Sequence, residues 1–122
     1  MMEQQIEAGP ISAGYYVAGW EYITVSGAPN DGTAGATFSA DLTVPDGATD
    51  AVAFLAGWTL QYTDGDHHVK EVFVAVNPLE KDQSGALPST VSGTVLLCDK
   101  NGDDAWSYDV NIQVLYFSPY WT

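Results

Sequence analysis

From Trp106 to Tyr116 every second residue is large and apolar: Trp106, Tyr108, Val110, Ile112, Val114 and Tyr116. Ser107, Asp109, Asn111 and Gln113 fill the first four places between them, and Leu115 breaks the pattern in the fifth. A period of two is the pleat of a strand with one buried face, and it conflicts with the period of about 3.6 that an amphipathic helix needs. The rest of the chain repeats the theme in shorter runs rich in Val, Ile, Thr and aromatics, separated by Gly, Pro, Asn and Asp clusters. Such a chain folds as all-β.

Six strands are expected. The first covers Tyr15 to Val25, and the second covers Ala36 to Val44 and stops at Pro45-Asp46-Gly47, a turn in which proline presets φ and glycine accepts a positive one. The third, Val52 to Tyr62, places Val52, Phe54, Ala56, Trp58, Leu60 and Tyr62 on one face, against Ala53, Leu55, Gly57, Thr59 and Gln61 on the other. The short link Thr63-Asp64-Gly65-Asp66 predicts a hairpin into the fourth run, His68 to Val76. A longer loop with Pro78 and Pro88 leads to Thr90 to Cys98, and Asp99-Lys100-Asn101-Gly102-Asp103-Asp104 turns the chain into the last strand. The architecture expected is one antiparallel β-sandwich, jelly-roll or Greek-key-like, over residues 15–122, preceded by a polar arm over residues 1–14. At 122 residues the chain has room for one such domain and not for two.

Charge removes several partners. Three lysines and no arginine stand against sixteen acids, a formal net charge of -13. That field repels phosphate backbones and anionic lipid, and no apolar run approaches a membrane span, so neither nucleic acid binding nor membrane insertion is expected. The same acidity suits a high-salt habitat. Cys98 is alone and sits in an apolar run, which points to a buried thiol and excludes an intrachain disulfide. The first residues, Met1-Met2-Glu3-Gln4-Gln5-Ile6-Glu7, carry neither a basic nor an apolar signal region. A place outside the cell or on a virion surface would then follow lysis or signal-independent export.

If successive strands alternate in direction, the connections after the first, third and fifth strands share one end of the domain. Asp31, Asp64, Asp66, Asp99, Asp103 and Asp104 would meet there. Asp99, Asn101, Asp103 and Asp104 are the candidate metal ligands, with calcium as the cofactor; the run matches the opening of an EF-hand calcium loop over about six residues. It departs where that loop needs Gly, at Asp104, and where it needs Glu, at Val110, so the competing reading is a plain tight turn at Asn101-Gly102. Asp64, Asp66, His67 and His68, with Trp20 and Trp121, are the candidate ligand-binding residues. Neighbouring histidines on a strand point to opposite faces, which disfavours a shared metal, and no serine or cysteine has a nucleophile context.

Trp58 and Trp106 are expected in the core. Ala51 to Leu55, Val72 to Val76 and Leu115 to Phe117 are apolar on both faces, so these segments either lie under loops or form a subunit interface. The aromatic tail Ser118 to Thr122 points the same way. The leading expectation is a non-catalytic, lectin-like module that binds carbohydrate at a loop end as a homo-oligomer. Its rival is a self-assembling structural subunit of a virion, filament or surface layer, and a small hydrolase stands third.

Overall fold

The computed structural model describes residues 14–30, 35–63, 69–98 and 104–120. Six strands are the regular elements among them: β1 (Gly14–Gly27), β2 (Ala36–Asp41), β3 (Asp50–Tyr62), β4 (Glu71–Val76), β5 (Thr90–Cys98) and β6 (Trp106–Tyr120). They form two three-stranded antiparallel sheets, ordered β1-β6-β3 and β2-β5-β4. The expected β-sandwich is therefore what the chain adopts.

Alternation explains the central position of β6. Its six inward side chains, Trp106 through Tyr116, are all buried, five of them with no exposed surface. Each such burial stabilises the fold by about 1.5–3 kcal/mol, so β6 is flanked on both sides by β1 and β3 and covered by the second sheet. From that sheet Phe38, Val91, Val95 and Leu97 complete the core. Cys98 is a free, buried thiol, as its apolar surroundings predict.

The connections differ from the sequence expectation. β3 and β4 belong to different sheets, so the connection between them crosses from one sheet to the other and is not the hairpin that its short length suggests. The same holds between β5 and β6, where a tight turn at Asn101-Gly102 would have joined neighbours in one sheet. Crossing stacks the apolar face of each strand on the opposite sheet, whereas a hairpin would set two such faces side by side. Only β4 and β5 follow one another within a sheet; the other four connections cross, giving the winding of a jelly roll.

Two β-bulges reset the pleat. One falls between Val17 and Gly19 in β1, the other between Leu55 and Gly57 in β3. An extra residue reverses which face the following residues occupy. In β3, Ala51, Ala53 and Leu55 consequently point inward while Val52 and Phe54 point out, and the phase then flips to bring Leu60 and Tyr62 in. Trp58 corrects the expectation of a core tryptophan. It pairs with the inward Val110, but β3 is an edge strand and the indole remains 47% exposed.

Glu21 is an acid at an inward position, opposite Val114. Its Oε2 accepts hydrogen bonds from the buried Tyr116 hydroxyl and from the Thr43 backbone N–H, the latter at 2.8 Å. Burial, together with the Glu21 carboxylate, pushes the Tyr116 hydroxyl well above the ordinary tyrosine range. Replacing Glu21 with alanine strands both donors and is expected to lower stability by about 2 kcal/mol, whereas Glu21→Gln, which keeps an acceptor, loses less. Urea unfolding of the two variants checks that order.

Candidate functional site

Strand direction brings the flanks of the connections after β1, β3 and β5 to one end. The Trp106 N–H donates to the Pro29 carbonyl at 3.1 Å, the Thr63 N–H to Ala105 at 3.1 Å, and the Lys70 N–H to Cys98 at 2.8 Å. The flanks of the connections after β1, β3 and β5 are thus stitched together, as alternating strand direction predicts, even though each connection changes sheet. At the opposite end the Leu42 N–H donates to Ser89 at 2.8 Å and the Thr49 N–H to Phe117 at 2.9 Å.

Most of the residues singled out in the sequence lie outside the described residues: Asp64, Asp66, His67, His68, Trp121, Asp99, Asn101 and Asp103. Asp104 is described and partly buried, just before β6. Trp20 stands elsewhere, in mid-β1 on the outer face of the β1-β6-β3 sheet, 66% exposed. It is not beside the Asp-bearing end.

The outer face of that sheet is ordered in rows by the pairing register. Val17, Phe117 and Asp50 form one row, and Trp20, Leu115 and Val52 the next. Tyr22, Gln113 and Phe54 form the third row, Thr24, Asn111 and Gly57 the fourth, and Ser26, Asp109 and Thr59 the fifth. Apart from Asp50, apolar side chains fill the first two rows, and every side chain in the last two is polar. The polar half leads into the Asp-bearing end, because Gly27, Tyr62 and Trp106 follow directly beyond it.

Within the polar half the side chains are already oriented. Thr24 Oγ1 donates to Asn111 Oδ1 at 2.8 Å, and the Ser26 hydroxyl donates to the Asp109 carboxylate. The Asn111 amide nitrogen keeps its donors, and the second Asp109 oxygen keeps its lone pairs. Asp109 and Asn111 are two residues apart on one strand, so a donor and an acceptor stand about 7 Å apart on a rigid support. The sequence marks both as outward on β6 but gives no signal that separates them from any solvated polar face. What distinguishes them is the row structure, which comes from cross-strand neighbours at least 50 residues away in sequence.

The apolar half has its own edge. Tyr15, Asp50 and Phe117 line a surface depression of about 380 Å³. Asp50 Oδ1 lies 2.8 Å from Lys81 Nζ and its Oδ2 accepts from Thr49 Oγ1 at 2.9 Å. Those two partners hold the Asp50 carboxyl below its ordinary range, the Lys81 bond contributing most. The outer face of the other sheet is mixed, with Thr37 opposite Thr94, Ser39 opposite Ser92, and Phe73, 50% exposed, opposite Leu96. Neither a family model, nor a curated protein, nor a solved structure matches the chain.

Proposed function

We propose that the chain is a non-catalytic, lectin-like carbohydrate-binding module that works as a homo-oligomer and takes its ligand where the polar half of the outer sheet face meets the Asp-bearing end. One observation carries the reading: a carboxylate and an amide, Asp109 and Asn111, are each fixed by a neighbouring hydroxyl on a single strand. Sugar hydroxyls donate and accept at once, so a fixed acceptor beside a fixed donor suits them. Tyr22, 53% exposed, and Phe54, 44% exposed, border this half and offer ring surface to the apolar side of a pyranose. The formal net charge of -13 favours neutral sugars over uronates and sulfated chains.

A panel of neutral and anionic oligosaccharides, read by calorimetry, tests this. Asp109→Ala is expected to weaken binding of a neutral glycan by about 10–100-fold, the range for hydrogen bonds to a charged group, and Asn111→Ala, which removes a neutral amide, by about 2–10-fold, with the fold intact. Binding indifferent to both substitutions, or no neutral glycan bound at all, ends the reading. The structural-subunit alternative has one feature in its favour: β1, β2, β3 and β4 are all edge strands, and open edges are templates for continued pairing.

A further inference from the structure

We infer that the apolar half of the β1-β6-β3 outer face is the seat of a second copy of the chain, joined in an isologous, sheet-on-sheet dimer. The inference rests on the homo-oligomeric part of the reading above and names its interface.

Area is the first argument. Tyr15, Val17, Trp20 and Val52 are 44–66% exposed around the partly buried Leu115 and Phe117. With aromatic side chains presenting about 150–250 Å² each when fully bared, this patch offers roughly 600 Å² without the Tyr22 and Phe54 rings that border the polar half. Stable interfaces begin at about 600 Å² from each partner, so the face reaches the size that a small dimer interface needs.

Charge is the second. The chain carries a formal net charge of -13, yet on these rows the one ionised group is Asp50, and Lys81 holds it at 2.8 Å. Two copies repel each other over most of their surfaces and least here. A cationic partner would be drawn to the acids elsewhere, whereas an uncharged apolar face is complementary to itself.

Shape is the third. The face carries both a projection, Trp20 at 66% exposure, and a recess of about 380 Å³ at Tyr15, Asp50 and Phe117. A two-fold axis brings each feature of one copy against the facing surface of the other. Packing two such sheets about 10 Å apart turns β1-β6-β3 into an inner layer covered on both faces, which accounts for the two-sided apolar runs at Ala51 to Leu55 and Leu115 to Phe117.

The test is sedimentation velocity of the full chain across a dilution series, with Trp20→Ser and Val52→Lys as interface variants and Thr37→Lys, on the outer face of the other sheet, as control. Both interface positions are exposed, so the variants keep the fold, and a melt of each confirms it; two variants on different strands guard against one failing to fold. The wild type is expected to sediment as a dimer that tightens as salt screens the repulsion. Each folded interface variant is expected to dissociate at least tenfold more readily, while the control keeps the wild-type mass. A wild type monomeric at every concentration, an open-ended polymer, or interface variants with wild-type mass would overturn the inference. The readout uses no sugar, so it stands apart from the ligand reading. Val52→Lys is further expected to retain single-site glycan affinity and lose only the gain from multivalency on a glycan-coated surface.

Discussion

Gly93→Val is expected to leave no cooperative unfolding transition at ambient temperature. Gly93 lies in mid-β5, facing the core between Phe38 on β2 and Val76 on β4. A Cβ placed there would run into the backbone carbonyl oxygen of Ala75 and into the ring of Phe38. A ring can rotate away, but a sheet carbonyl cannot move without breaking its ladder. Overpacking of a core by added methyl groups typically costs about 1–3 kcal/mol, and a clash with backbone exceeds that. Against a total stability of about 5–15 kcal/mol for a domain of this size, three added carbons leave little. Gly93→Ala is expected to melt far below the wild type and to stay there when Phe38→Leu is added, because the Ala75 carbonyl remains. Circular dichroism melts of the three variants settle it, and a Gly93→Val protein with a native-like transition would refute the packing argument.

That glycine also marks the limit of what strand patterns reveal. The inward face of β6 is legible because one long strand paired on both sides keeps a strict period, and its six apolar positions are all buried. That the flanks of the connections after β1, β3 and β5 share one end is legible too, since it depends only on strands alternating in direction. Pairing partners are not legible. A short link reads as a hairpin at Thr63 to Asp66 whether the chain folds back in one sheet or crosses to the other, and the choice is made by which faces must be covered. Bulges are equally silent: nothing around Ala56 announces the extra residue that turns Val52 and Phe54 out to solvent. The doubly apolar segments at Ala51 to Leu55 and Leu115 to Phe117 are visible as an excess of apolar side chains. Only the register shows that they line up across β3 and β6 on one outer face instead of lying beneath loops. Gly93 itself reads as a weak point in a strand, and the side chain and carbonyl that require it lie far away in sequence.

Trp106→Ala is the side-chain truncation expected to do the most damage. The indole is fully buried, packs against Tyr108 with ring centroids 5.8 Å apart, and belongs to the residue whose backbone N–H donates to the Pro29 carbonyl. Truncation should cost about 3–5 kcal/mol and lower the melting temperature by roughly 10–20 °C. Trp58→Ala should cost about 1 kcal/mol or a little more, because an edge strand leaves that indole 47% exposed already. Trp20 separates packing within one chain from association between chains. At 66% exposure its loss should scarcely change the melt of dilute protein. At high concentration, dimerisation stabilises the wild type by mass action and Trp20→Ala forgoes that gain, so the gap between the two melts should widen with concentration. The Trp106→Ala deficit, by contrast, arises inside one chain and should be nearly independent of concentration. A Trp20→Ala gap that stays constant on dilution would place its whole contribution within the monomer, and a Trp106→Ala melt within a few degrees of the wild type would mean that the buried indole does not anchor the core.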